Sequence, residues 1–211
     1  MHKRKPEIRR PTQERGKQRF EEILDAVETL LRDRDPSDIG IYDISSHLNI
    51  QPQSVYHFFP EASLVFVALA ERYLALFREV PTSNLGRYER WQDLLDAQHT
   101  SMLAVCEANP ATLKVLLGTG YSSEIRRLDL ENNRILAQHL LDGFREQFLL
   151  PEIPDLLERF VEMAAINDAI WSVYLLRDGH LSDGAKLYAR RGRTAYLRTV
   201  LPEYLTPRPC D

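Results

Sequence analysis

Between Ile41 and Pro60 the chain reads IYDISSHLNIQPQSVYHFFP, and few folds accommodate that order of residues. Ile41, Ile44 and Leu48 fall at i, i+3 and i+7, one apolar face of a short helix. Asn49 follows where the chain must reverse, and asparagine tolerates a left-handed backbone better than most non-glycine residues. Pro52 suits the first turn of a second helix, where a missing N–H costs nothing. Two short helices joined by a tight turn make a helix-turn-helix. Around the second helix Val55, Phe58 and Phe59 share one side, while Gln53 and His57 point away from it and Ser54 and Tyr56 lie on the flanks. Such an amide, imidazole, hydroxyl and phenol face can meet base edges and phosphates. An ordinary surface helix would also turn its polar residues outward.

Charge distribution bears on that choice. The chain has a formal net charge of −4, yet residues 1–20 hold eight basic side chains against two acidic ones. Lys3, Arg4, Lys5, Arg9 and Arg10 lie in a stretch over 1–11 that contains two prolines and no periodicity, which reads as a basic arm able to follow a minor groove. A local basic cluster beside a helix-turn-helix can bind a polyanion although the whole chain is acidic. The bland reading of the same cluster is a solvated tail.

The rest of the pattern is helical. Phe20, Ile23, Leu24, Val27, Leu30 and Leu31 repeat at helical spacing over about 12–34, and Asp35-Pro36-Ser37-Asp38 stops that run. A longer helix is expected over 62–79. Further helices are expected over about 87–108, 111–118, 123–149, 155–177 and 182–201, with no strand-like alternation after residue 85, so the fold class is all-α: a three-helix head and a helical bundle. The expected boundaries are an arm over 1–11, a helix-turn-helix domain over 12–60, a bundle over 61–205 and a tail over 206–211. The longest apolar run, Leu64 to Ala70, is far short of the ~20 residues of a membrane-spanning helix. Cys106 and Cys210 suggest no disulfide framework, which fits a reducing cytoplasm. The basic N-terminus lacks the apolar block of a secretory signal.

The segment 14–66 resembles the DNA-binding motif of the TetR family of bacterial transcriptional regulators. It shares the pattern at Ile41, Asp43, Ile44, Ile50, Ser54, Val55, Tyr56, Phe59 and Pro60. It departs at Gly40, Ser45, Asn49, Phe58 and Ala62, where the family usually has Thr, Ala, Gly, His and Lys. The Thr, His and Lys commonly help to hold phosphates in that family. The resemblance implies a dimeric regulator, more often a repressor, on a pseudo-palindromic double-stranded operator, with the 62–79 helix relaying effector binding to the DNA-reading heads. Gln51, Gln53, Ser54 and His57 would then read bases, Pro52 would pack on a thymine methyl, and Tyr56 and the arm would touch phosphates.

Three further groups of residues follow. In 155–177 apolar character surrounds most of the helix, and in 182–201 Ala185, Ala189 and Gly192 form a small-residue stripe. With Ala164, Asp168, Trp171 and Tyr196 they are the expected dimer interface, in the four-helix arrangement usual for TetR regulators; a central helix in a monomeric core would show the same pattern. Tyr73, His99, Met102, Cys106, Tyr121, Asn167, Trp171 and Tyr174 are candidate lining residues of a pocket for a small apolar or aromatic effector, though each could be plain core. No metal-ligand spacing of histidines and no catalytic constellation is found, so neither cofactor nor enzymatic activity is expected. The departures at Gly40, Phe58 and Ala62 keep open a helical carrier or enzyme with a vestigial head, and the basic arm keeps open a module that binds acidic proteins.

Overall fold

The computed structural model describes residues 6–80, 86–118 and 122–209, and these are helical almost throughout. The helices are α1 Glu14–Leu30, α2 Ile41–His47, α3 Pro52–Tyr56, α4 Ala62–Arg78, α5 Trp91–Ala108, α6 Ala111–Leu116, α7 Ser123–Gln147, α8 Leu156–Asp178 and α9 Asp183–Leu197, with a 3₁₀ turn at Pro36–Asp38. The chain divides into two compact units. The first runs to Tyr73 and takes in Pro110–Ile125; the second comprises Leu74–Asn109 and Arg126–Asp211. This differs from a boundary after Pro60. The reason lies in the first half of α4, where Leu64 to Ala70 are all buried and belong to the first core.

Within the first unit, α1 supplies Phe20, Ile23, Leu24 and Val27 to a core completed by Ile44, Val55 and Phe59. Arg72 of α4 locks onto α1, with Nη1 2.6 Å from Asp25 Oδ1 and Nη2 2.7 Å from Glu28 Oε2. The Tyr73 hydroxyl donates to Glu28 Oε1 at 2.7 Å. Lys114 of α6 donates to the Leu31 carbonyl at 2.9 Å, placing a cation where the carbonyls at the end of α1 need one.

In the second unit a core that includes Trp91, Leu95, Leu141, Phe144, Phe148 and Phe160 joins α5, α7, α8 and the segment after α9. Gly179, at φ 74°, ends α8 in a left-handed cap whose N–H bonds to the Leu175 carbonyl at 2.9 Å. Ser182 opens α9, its Oγ accepting from the Ala185 N–H at 3.2 Å. Two short strands, β1 Phe148–Leu149 and β2 Thr206–Pro207, pair antiparallel, with Phe148 opposite Pro207 and Leu149 opposite Thr206. The expected tail is thus corrected at Thr206 and Pro207, which pair with the strand that follows α7. Two-residue strands carry no alternation to read.

The α8–α9 packing corrects the expected dimer stripe. Ala185 and Ala189 are 0 % exposed within one chain, and a Cβ built on Gly192 would stand 2.6 Å from Ile170 Cδ1 of α8. The small residues let α9 approach α8 of the same molecule. Trp171 is buried too, Asp168 accepts from Asn133 Nδ2, and the Tyr196 hydroxyl is tied to Glu162. Ala164 is half-buried. The surface left open runs along Val173 and Leu176 of α8 and Leu187 and Tyr188 of α9.

Candidate functional site

The geometry of the first unit is set by a short turn between α2 and α3. Asn49 sits at φ 52°, the left-handed conformation that its short polar side chain tolerates. The Ile50 N–H closes the turn on the Ser45 carbonyl at 2.9 Å. At the start of α2, Asp43 Oδ2 accepts the Gly40 N–H at 2.8 Å while Oδ1 takes Arg34 Nη1 at 2.9 Å. The Gly40 N–H first, and Arg34 second, hold the Asp43 carboxyl below its usual range.

α3 is held by three apolar side chains and presents the rest. Val55 and Phe59 are 0 % exposed, and Phe58 meets Phe20 of α1 edge-on at 5.9 Å. Gln51, Gln53, Tyr56 and His57 are exposed, and Pro52 and Ser54 are half-buried. An open groove of about 610 Å³ runs between α1 and α3, lined by Gln13, Arg15 and Arg19 on one side and by Gln53, Ser54 and His57 on the other. The apolar periodicity over 12–34 marks only the buried face of α1; the signal for this wall lies in Arg15 and Arg19, four apart on one helical face. Tyr42 on α2, 70 % exposed, is a second side chain that polarity alone did not single out.

The arm is fixed in part. The Arg9 N–H donates to the Phe58 carbonyl at 2.8 Å, which pins the arm to the residue that follows α3 and His57. The Arg10 guanidinium pairs with Glu71 of α4, so part of its charge is already answered inside the unit. Lys3, Arg4 and Lys5 lie outside the described residues. At the positions where the resemblance leads one to expect phosphate donors, Gly40 and Ala62 carry none and Phe58 is packed into the core. What the surface offers is an amide, an imidazole and hydroxyls flanked by guanidinium groups, a set able to hydrogen-bond base edges and phosphates together.

The candidate effector residues separate in the structure. Tyr73 belongs to the first unit, its hydroxyl spent on Glu28. Tyr174 stacks on Tyr188 of α9 with ring centres 6.1 Å apart, and the Arg177 guanidinium lies over the Tyr174 ring, 4.5 Å from its centre. Tyr121 lies outside the described residues. His99, Met102, Cys106, Asn167 and Trp171 all lie on α5 and α8 of the second unit, the first two keeping some accessible surface and the others buried. Burial, and then the Arg193 guanidinium, lower the His99 imidazole well below its usual range, while burial, and then Asp168, push the Cys106 thiol up to about 12. Sequence reasoning missed Asp129 of α7, which is 5 % exposed and bonded to Arg126. Burial, and then the Asp168 carboxylate, raise it to about 7. Among the described residues no group of His, Cys, Asp and Glu is arranged to hold a metal ion, and no helix is long and apolar enough to cross a membrane.

No family model and no curated protein matches the sequence. Solved structures do match. A TetR-family transcriptional regulator from Streptomyces coelicolor superposes with a TM-score of 0.64 at 22 % identity, over 87 % of this chain and 99 % of that one. The fatty acid degradation regulator FadR from Bacillus halodurans gives 0.64 at 13 %, over 86 % and 96 %. SmeT, the repressor of the Stenotrophomonas maltophilia multidrug efflux pump SmeDEF, gives 0.60 at 19 %, over 91 % and 97 %. The chain has the fold of TetR-family transcriptional regulators.

Proposed function

We propose that this protein is a transcriptional regulator of the TetR type, acting in the cytoplasm, that binds a pseudo-palindromic DNA operator as a homodimer. One observation carries the reading: Gln53 and His57 stand exposed on α3 while its opposite face is buried, with the arginines of α1 lining the same groove. A short helix so anchored can enter a major groove with its first residues against base edges, and α1 with the arm can grip the flanking backbone. Two copies related by a two-fold axis would meet two half-sites about one helical turn apart. The exposed apolar row on α8 and α9 supports pairing of the copies there. Repression relieved by a small effector held among α5, α7 and α8 is the sign of regulation favoured by the likeness to SmeT, a repressor.

The test is operator selection from random duplexes followed by binding of Gln53→Ala. Losing a good bidentate base contact should cost about 1–3 kcal/mol on the selected site and leave random DNA unaffected. Deleting residues 1–11 should instead weaken binding to every sequence and flatten its salt dependence. Equal losses on selected and random DNA for Gln53→Ala would remove base reading from α3. Failure to select any duplex would favour the second reading, a carrier or enzyme with a vestigial head, which the donor-free positions Gly40, Phe58 and Ala62 support.

A further inference from the structure

An open groove of about 420 Å³ lies between α5 and α9, both of the second unit. Arg90, Gln92 and Asp93 line it at the start of α5, and Arg190, Arg191 and Arg198 line it from α9 and the residue that caps it. Residues 190, 191 and 198 share a side of the helix because they are seven or eight apart, two turns on. Four guanidinium groups thus line the groove against two carboxylates, Asp93 and Asp96. Arg193 and Glu203, which bond to these residues, bring the count to five cations and three acids. The chain outside residues 1–20 is acidic, so a positive surplus here runs against its overall charge.

Two of the acids are each shared between two arginines. Asp96 meets Arg190 Nη2 at 2.5 Å and Arg193 Nη2 at 3.0 Å. Glu203 holds Arg198 through both oxygens, at 2.7 and 2.9 Å, and stands 3.6 Å from Arg90. Arg191 has no carboxylate partner among the described residues; its guanidinium lies 6.0 Å from the centre of the Tyr188 ring. Two further features point to a guest. α5 opens at Trp91 without a side-chain cap, so the positive end of its dipole adds to the arginines that line the groove. Gln92, 5 % exposed, spends its Nε2 on the Glu203 carbonyl at 2.9 Å and leaves Oε1 with no donor. A buried acceptor left unmatched in a groove wall is satisfied when a guest brings a hydroxyl to it.

We propose that the α5–α9 groove binds a small hydroxylated polyanion, its acidic groups held by Arg191, Arg90 and the start of α5 and its hydroxyl donating to Gln92 Oε1. The planar fork of a guanidinium accepts a carboxylate or a phosphate equally well, so a hydroxy polycarboxylate and a sugar phosphate share the required chemistry. An anion without a hydroxyl leaves Gln92 Oε1 as it stands, and a neutral polyol leaves the surplus charge. Asp93 is the one acid of the lining that holds no arginine among the described residues, and its charge opposes the guest. The site stands or falls independently of DNA reading by α3.

The experiment is calorimetric titration of the full chain, without DNA and at fixed ionic strength, with citrate, tricarballylate and glucose 6-phosphate. Tricarballylate is citrate without its hydroxyl, and should bind roughly three- to tenfold more weakly, as expected for one hydrogen bond. Arg191→Gln should weaken citrate by roughly three- to tenfold, and Asp93→Asn should strengthen it by roughly two- to fivefold. Both side chains are exposed, so neither variant endangers the fold. Citrate tighter than glucose 6-phosphate names a carboxylate guest, and the reverse order names a phosphate one. Equal affinity for citrate and tricarballylate, or citrate binding unchanged in both variants, overturns the proposal. So does the absence of binding by both citrate and glucose 6-phosphate.

Discussion

Protonation of one side chain separates a buried acid from an exposed one. Asp129, raised from 3.8 to about 7 by burial and by Asp168, binds a proton in the folded state that the unfolded chain has already released. Its contribution to stability is therefore complete below about pH 4 and declines as pH rises towards about 7. Asp129→Asn should flatten that decline. Thermal melts of the two proteins should nearly coincide at low pH, and by pH 8 the variant should be the more stable by on the order of 1–3 kcal/mol. An unchanged slope would mean that Asp129 is not the group responsible. Asp43 works in the opposite sense, since its lowered value makes its bonds to Gly40 and Arg34 weaken as acid is added. Neither effect could be read from the sequence, where both residues are simply Asp in a helix: the partners of Asp43 are near in the chain but only the folded turn brings them to its carboxyl, and the burial of Asp129 beside Asp168 comes from elements distant along the chain.

Elements are where the sequence spoke most clearly and also where it misled. The α2–turn–α3 segment was legible because its determinants are local: the spacing of Ile41, Ile44 and Leu48, the left-handed Asn49 and the first-turn Pro52 each act within a few residues. The stripe of Ala185, Ala189 and Gly192 was legible as a place of close approach, but its partner was not, because periodicity cannot say whether the facing helix belongs to the same molecule. The facing helix is α8 of the same chain. Gly192→Val should accordingly destabilise the folded chain by about 1–3 kcal/mol through overpacking against Ile170 and Ile166, seen as a lower denaturation midpoint. Were the stripe a contact between copies, the same substitution would change the oligomeric state and spare the stability of the isolated chain. The wall of the α1–α3 groove escaped for a related reason: Arg15 and Arg19 advertise a polar face, and only the fold shows what that face lies beside.

At the scale of the whole molecule, the proposed dimer rests on one exposed apolar surface of α8 and α9. Val173 and Leu176 are 59 % and 60 % exposed, and Leu187 and Tyr188 are 42 % and 49 %. Replacing Val173 and Leu176 together by Glu should convert a dimer to a monomer in light scattering while leaving helix content unchanged, since neither side chain lies in the core. A wild-type chain that is already monomeric would remove this surface from the proposal and, with it, two-fold reading of an operator.

The division of the chain after Tyr73, with Pro110–Ile125 returned to the first unit, has a practical corollary. A protein engineer who wishes to graft this head onto another sensor cannot stop the gene at the end of the α4 contribution. Such a fragment would leave behind α6 and its Lys114, and the last carbonyls of α1 would lose the cation that now closes them. The head is a discontinuous module, transferable only together with a piece of chain that returns to it from much later in the sequence.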